Sequence, residues 1–412
     1  MRIIVQKYGG TSTRNRETRS MMYDNIIDVV NAKNKAVVVV SAMGRYDDPY
    51  ATDTLLSVVR KKYLNGEEID RLSSIGETLA TLVIKSELAS LGYRVASVSN
   101  EELGIMTDDS FTCASIEAAE GEAILKKLEE ADIVIAPGFQ GHNKDHVITT
   151  LGRGGSDLSA VAIGAAIGAS EVEIYSDVDG IYTADPRIVP RAMRLDMVSY
   201  EEMLELSNNG AKVLNHRCVV LAAKTGIKIH CCSSFRPGRG TYVVGEEDMK
   251  DINKFAISGI TGTQNEARFT LVGVEIKNNV AGNLFKKISE AGVNVNVYNQ
   301  ALTGGGHMDI SIITQQEDID TVLAVINSMK QELQPKRTIV RGNIGKVAVV
   351  GLGIRNRQGM FEKVYNTLEN NNIHVEMASC SEINISCYID RNDVNDAQVL
   401  LHEAFIENNE ED

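Results

Sequence analysis

Hydrophobic residues in positions 1–245 fall into short β-branched runs separated by longer stretches of helical spacing. Ile3–Gln6, Ala36–Val40, Arg94–Val98, Ile133–Ala136, Glu171–Tyr175 and Ile227–Cys231 have the length and composition of strands. Between them, Ser20–Ala32, Thr52–Tyr63, Ser73–Leu91 and Ala118–Glu130 carry their apolar residues at helical intervals. This alternation predicts an α/β fold, an open and mostly parallel sheet sandwiched by helices, with ligands at the carboxyl ends of the strands.

The pattern changes after a polar stretch, 245–254, that reads as a linker. A run at Leu271–Asn279, a helix and a run at Val293–Val297 are followed by a second set, Gly351–Gly359, a helix and Ile373–Met377. Gly273 and Gly353, like Val293 and Ile373, are 80 residues apart. Each set then adds a strand (Met308–Ile313; Ile383–Ile389) and a helix (Asp318–Leu333; Asn392–Phe405). A β-α-β-β-α unit used twice predicts two ferredoxin-like modules. Phe255–Thr261 reads as an extra strand ahead of the first.

Composition narrows the function. The net charge is −14 and Lys and Arg do not cluster, which speaks against a nucleic-acid partner; the acidic Glu407–Asp412 reads as a solvated tail. No apolar run approaches the roughly 18 residues of a membrane helix, and the chain enters a strand without a signal-like segment, so a cytoplasmic location is expected. The six cysteines (113, 218, 231, 232, 380 and 387) show no C-x-x-C or metal-ligand spacing and read as free thiols, with Cys231-Cys232 as packing residues.

Two strands end in glycine turns. Ile3–Gln6 breaks at Lys7-Tyr8-Gly9-Gly10 into a Thr11/Ser12 helix cap, and Gly152-Arg153-Gly154-Gly155-Ser156-Asp157 opens a small-residue helix over about Leu158–Gly168. Glycine lets bare N–H groups approach an anion, and a helix N-terminus favours negative charge. A single such turn fits a plain strand–helix closure equally well. Two of them, one with a lysine, fit two ligands that meet, such as nucleotide phosphates and an acid acceptor.

KYGGTS (7–12), SAMG (41–44), GET (76–78), GFQG (138–141), TTLGRGGSD (149–157), YSDVDGIYTADPR (175–187) and GAKVL (210–214) stand in the order found in aspartate kinases of the amino-acid kinase superfamily. Over its whole length the chain resembles a short bacterial member with a tandem ACT tail. The resemblance implies a catalytic domain at 1–245, a linker and strand joining the second ACT module at 246–262, and ACT modules at 263–340 and 341–412. It implies ATP- and Mg²⁺-dependent phosphorylation of the β-carboxylate of L-aspartate, the first step toward lysine, threonine, methionine and diaminopimelate.

By the same resemblance, Lys7 stabilises the transferred phosphoryl group and Asp157 orients Lys7. Glu77 takes the aspartate ammonium and Arg153 a carboxylate, with Ser41, Thr52, Gly154, Gly155 and Ser156 lining that pocket. ATP falls to Lys7, Tyr8, Gly9, Gly10, Thr11, Ser12, Ser176, Asp177, Tyr182, Asp185, Arg187, Lys212 and Val213, with no protein metal ligand. A homo-oligomer through the ACT modules and an effector (lysine, threonine or diaminopimelate) are implied as partners. Met249 stands where some relatives start a separate regulatory subunit.

The chain departs from the family pattern at Leu158, at Asn215-His216, and at Ile276, Lys277, Asn278 and Asn279, which replace the acid, proline and glycine of the first effector turn. Gln358-Gly359 stands for Pro-Gly in the second module, whereas Ser381–Ile385 matches. The alternatives are another amino-acid kinase, against which GFQG, GET and the tandem modules speak, and an inactive amino-acid sensor, which would not need the charges of Lys7, Glu77, Arg153, Asp157 and Lys212.

Overall fold

The strand Ile3–Tyr8 lies between two parallel neighbours, Lys35–Val40 and Glu171–Ser176. All six residues of Lys35–Val40 are buried, which explains the unbroken apolar run Ala36–Val40. The computed structural model describes residues 1–211, 213–236, 238, 240–249, 257–277 and 279–409. Two compact units emerge: Met1–Thr183 with Met193–Lys254, and Ala184–Ala192 with Phe255–Asp412.

In the first unit the large sheet runs in the order Met197–Ser199, Thr241–Val244, Ile229–Ser233, Glu171–Ser176, Ile3–Tyr8, Lys35–Val40, Ile133–Pro137, Val95–Ser97. Its pairings are parallel except between Ile229–Ser233 and Thr241–Val244. One face packs on helices Arg16–Asn31 and Ile75–Ser90, whose Met22, Ile26, Ile84 and Leu88 are buried against Val38, Val40 and Ile135. Arg19 joins these helices by two bonds to the Glu87 carboxylate, 2.7 and 2.9 Å, and a third to the Thr13 carbonyl, 3.1 Å.

Several elements differ from the sequence expectation. The Thr11/Ser12 cap is absent: Gly9 precedes the short helix Gly10–Thr13, and the cap with side-chain bonds is Asn15, in a capping box with Thr18. Thr52–Tyr63 is a helix only over Thr52–Ser57, followed by a short turn at Lys61–Tyr63; the intervening Val58 is exposed and has no core to join. Ala118–Glu130 divides into a strand, Ile116–Ala119, and a helix, Glu122–Glu130, because the Glu120 amide bonds to the Gly104 carbonyl (2.9 Å). The helix expected over Ser73–Leu91 is found as Ile75–Ser90, and a separate helix, Gly66–Ser73, precedes it. A second sheet, Ile116–Ala119, Ile105–Thr107, Gln140–His142, Ile148–Thr150, has strands too short to show a period.

The second unit is built on two long strands, Gly259–Glu275 and Arg337–Val350, paired antiparallel. Residues 266–275 carry His307–Gln315 and then Val297–Gly304; residues 344–350 carry Asn384–Asp390 and then Met377–Cys380. Gly259–Thr263 pairs with residues 346–350, so this strand lies in the sheet of the second module. The start of the expected strand, at 255–256, and residues 250–254 of the expected linker lie outside the described residues. Each module has its own core, one around Phe269, Leu284 and Ile326, the other around Val349, Val364 and Leu401. Val293–Val297 and Ile373–Met377 begin as strands only at Val297 and Met377, because Val293, Ile373 and Val375 turn into those cores instead of pairing.

Helix Val394–Phe405 lies so close to the paired strands that a Cβ at Gly345 would overlap the Val394 side chain and stand 3.1 Å from the Thr263 carbonyl oxygen. Gly345→Ala should destabilise the second unit by roughly 1–3 kcal/mol, the usual cost of overpacking. Thermal unfolding followed by calorimetry checks this; an unchanged transition would contradict the packing.

Candidate active site

Lys7 reaches the carboxyl end of its strand with its neighbours in register, opposite Val39 and Ile174. Its ammonium meets the Asp157 carboxylate at 2.8 Å, both side chains being nearly buried at 12% and 13% exposure. Asp157 lies in the first turn of helix Gly155–Ala166, where a negative charge suits the helix dipole. The pair thus ties a strand end to a helix start, and the two glycine turns converge on it.

Each turn needs glycine for a stated reason. A Cβ at Gly10 would run into the Gly44 carbonyl and come within 2.9 Å of that of Ala42, while the Gly44 amide donates to the Gly10 carbonyl at 2.9 Å. Gly154 has φ 72°, and a Cβ there would strike the Asn215 amide group. The first turn is thereby held against Ser41–Gly44 and the second against Asn215. Phe139 beside them is also left-handed, φ 69°, its amide bonded to the Ser159 hydroxyl (3.0 Å); such strain in a bulky residue gathers at functional sites.

The expected substrate residues lie along one line of contacts. The Ser41 hydroxyl donates to Ser156 (2.9 Å), and the next residue, Ala42, donates its amide to Glu77 (3.1 Å). Glu77 is 3% exposed and, among the described residues, its second oxygen has no hydrogen-bond partner. Burial pushes its carboxyl up to about 7, against the opposing influence of the Ala42 amide and the Thr52 side chain. Arg153 is exposed at the tip of its turn. The site therefore presents a buried acid and an open guanidinium on two elements joined through Ser41 and Ser156.

The expected nucleotide residues divide. Gly9, Gly10 and half-buried Thr11 stay at the strand end. The Tyr8 ring instead turns into the core, fully buried and stacked on Tyr175 at 4.6 Å, so only its backbone could meet a ligand. Ser12 is buried against Ser234, hydroxyl to hydroxyl at 2.7 Å. Ser176 bonds within its own loop to Val178, Asp177 pairs with Arg45 (3.1 Å), and Tyr182 donates to Asp179 (2.9 Å). Asp185 and Arg187 pair with each other (2.6 Å) in the segment grouped with the second unit. Val213 is half-buried, and Lys212 lies outside the described residues.

Asp70 and Arg217 also shape the site and escaped the sequence reading, as did the part played by Asn215. The signal for Asp70 was a charged residue three positions before Ser73, on the stripe of its helix that turns out to be buried. The departure from the family pattern at Asn215 proves constructive: its side chain caps helix His216–Thr225 through the Arg217 amide and donates to the Arg153 carbonyl, both at 2.9 Å. Leu158, the other departure, is buried in the core. Cys218, Cys231 and Cys232 are buried and their thiols pushed well up by it, which leaves them inert packing groups.

Residues 2–233 match the amino acid kinase family, and residues 347–405 match an ACT domain. An aspartokinase of Helicobacter pylori is 38% identical over 397 residues, covering 94% of this chain and 95% of that protein. One from Mycolicibacterium smegmatis is 36% identical over 410 residues, covering 98% and 96%. The chain belongs to the aspartokinase family. The crystal structure of Escherichia coli aspartokinase III in complex with aspartate and ADP aligns with a TM-score of 0.76 over 98% of this chain and 99% of that one, at 24% identity, an agreement of fold. Among the described residues no helix is long and apolar enough to cross a membrane.

The buried carboxyl of Glu77 has a consequence for stability. Its folded value of about 7 lies above the ordinary 4.5, so the folded protein holds a proton there that the unfolded chain has released. Stability from this group is therefore lost as pH rises from about 4.5 to about 7. Glu77→Gln should raise the stability of the ligand-free protein at about pH 8 by roughly 3 kcal/mol and change little at about pH 4.5. Thermal unfolding at the two pH values checks this; a gain of equal size at both would remove the buried charge as its cause.

Proposed function

We propose that this aspartokinase-family chain transfers the γ-phosphoryl group of ATP to the β-carboxylate of L-aspartate, giving 4-phospho-L-aspartate, with Lys7, Asp157, Glu77 and Arg153 as the working groups. The observation that carries the reading is the nearly buried Lys7–Asp157 pair at the meeting of two glycine turns. A carboxylate oxygen attacks phosphorus, the bond to the bridging oxygen breaks, and ADP leaves with the electron pair. The acceptor is ionised near neutral pH, so no general base is required. What the protein must supply is alignment and positive charge where negative charge redistributes.

Lys7 supplies that charge, and Asp157 fixes its ammonium at the strand end. Glu77 receives the α-ammonium of aspartate: it is buried, has a free oxygen, and would gain a cation in place of its proton. Arg153, exposed and forked, takes a carboxylate. Gly9 and Gly10 offer backbone amides to phosphates, and Tyr182, Arg187, Lys212 and the remaining nucleotide residues complete the ATP site on resemblance. Mg²⁺ bound with the nucleotide would neutralise part of its charge. Forming this activated acid is the first step of lysine, threonine and methionine biosynthesis in the cytoplasm.

Lys7→Ala should lower kcat on the order of 10²–10³ with a smaller change in KM for aspartate, because the charge acts mainly in the transition state. Glu77→Gln should act chiefly on that KM. Trapping the acyl phosphate as its hydroxamate measures both. The function itself fails if the wild-type protein forms hydroxamate with glutamate or N-acetylglutamate but not with aspartate, and the role assignment fails if the two kinetic profiles are exchanged.

Assembly and regulation belong to the second unit. Strand Val297–Gly304 pairs on one side only and is exposed along nearly its whole length, an edge suited to pairing with a second copy of the chain. In the first effector turn Lys277 is paired with Glu275 at 2.8 Å, and Asn279, left-handed at φ 59°, precedes helix Val280–Glu290; Asn278 lies outside the described residues. Ile276, Asn278 and Asn279 stand where the family has its acid, proline and glycine, so the first site is empty or retuned. Inhibition by lysine, threonine or diaminopimelate is expected to weaken in Ser381→Ala or Glu382→Gln and persist in Asn279→Ala. Titration of activity against each amino acid checks this, and the opposite pattern refutes it.

A further inference from the structure

Two side chains of opposite charge, neither used in the transfer chemistry above, brace the turn that carries Arg153. Asp70, on helix Gly66–Ser73, is fully buried. Its two oxygens accept the Thr112 amide at 3.0 and 2.9 Å, the Thr150 amide at 2.8 Å and the Thr150 hydroxyl at 2.6 Å. Arg217, in the first turn of helix His216–Thr225, donates one nitrogen to the Leu151 carbonyl (2.7 Å) and another to the Ala114 carbonyl (2.6 Å). Ala114 itself bonds through its amide to the Thr150 carbonyl at 2.8 Å.

The carboxylate thus takes the amides, and the guanidinium the carbonyls, of the same two crossing segments. The glycine turn starts one residue beyond the last of these contacts, at Gly152. On the other side, the Ser74 amide bonds to the Asp70 carbonyl (3.0 Å), and helix Ile75–Ser90 with Glu77 begins at the next residue. Asp70 therefore links the element that bears Glu77 to the turn that bears Arg153, and Arg217 locks the far end of the same link.

We propose that Asp70 and Arg217 are positioning residues that set the separation between Glu77 and Arg153, and through it the preference for a four-carbon over a five-carbon amino dicarboxylate. This rests on the reading of Glu77 as the ammonium contact and Arg153 as the carboxylate contact. Hydrogen bonds to charged groups are the strong ones, and a buried carboxylate that loses its amide donors leaves both sides unsatisfied. A fixed separation is what a site needs to tell aspartate from its homologue, which is longer by one methylene group.

The test compares wild type, Arg217→Met, Arg217→Lys and Asp70→Asn. It measures hydroxamate formation from L-aspartate and L-glutamate, KM for aspartate and for ATP, and thermal unfolding. Arg217→Met should raise KM for aspartate roughly tenfold and lower the aspartate-over-glutamate preference, with KM for ATP within about twofold of wild type. Arg217→Lys, able to reach one carbonyl, should recover part of the loss, and Asp70→Asn should move the same parameters in the same direction. Arg217 is only half-buried, so its variants carry the test if Asp70→Asn does not fold. A folded Arg217→Met with wild-type aspartate KM and preference overturns the proposal alone. So does a parallel fall in kcat and in affinity for both substrates with a lowered unfolding temperature, the mark of a purely structural role. A wild-type chain that makes no aspartyl hydroxamate overturns the functional reading, and the proposal with it.

Discussion

The ion pair of Lys7 and Asp157 is the constraint around which the first unit is arranged. An ammonium at the end of a buried strand cannot remain unpaired without a large desolvation cost, and the helix opening at Gly155 brings the matching charge to it. Meeting at 2.8 Å requires the backbone to turn sharply on both sides, hence Gly9-Gly10 after the strand and Gly152–Gly155 before the helix. The site is the by-product of this meeting: once strand and helix are joined, the two glycine turns lie on either side of the same ion pair. In the proposed transfer, the same pairing that holds the fold pre-orients the charge of Lys7.

Around that pair, stability and chemistry pull in opposite directions. Glu77 is buried beside the Ala42 amide with one oxygen unsatisfied, and Phe139 is held in a left-handed conformation that its ring disfavours. Neither choice favours the empty protein. Both are tolerated because neighbouring contacts over-determine the local backbone: the Ser159 bond to Phe139, the Ser41–Ser156 bond, and the clamp of Asp70 and Arg217. In the proposed function the ammonium of the substrate relieves this buried acid.

The second unit solves a different problem with the same economy of means. Two long strands, Gly259–Glu275 and Arg337–Val350, each serve both modules. Between the modules lie nearly buried charges on these strands: Glu266 with Asn296 (3.0 Å) and, at 3.9 Å, Lys346, and Arg268 with Glu376 (2.9 Å). Burial raises the Glu266 carboxyl, which marks how much of its solvation it gave up. Such pairs are poor sources of net stability, but a slip in register would leave each charge alone, so they fix how the strands are aligned.

Much of this was legible in the sequence, and what was legible had a local cause. Ala36–Val40 is buried on both faces and announces itself as a continuous apolar run; the 80-residue repeat shows two modules because each must fill a similar core. The glycine turns and their order carried the family. Short strands such as Ile105–Thr107 and Gln140–His142 were silent because three residues hold no period, and Val293 and Ile373 misled because a β-branched residue is equally at home in a strand and in a core. By itself the sequence determined which segments must be buried and where the backbone must bend, since both are properties of neighbours along the chain. Only the tertiary structure decided that Tyr8 turns inward, that Ser12 meets Ser234, and that Asp70 and Arg217 grip the same two segments. Those contacts join residues up to 222 positions apart, and the need to satisfy a buried polar group names no partner until the fold has brought one within reach.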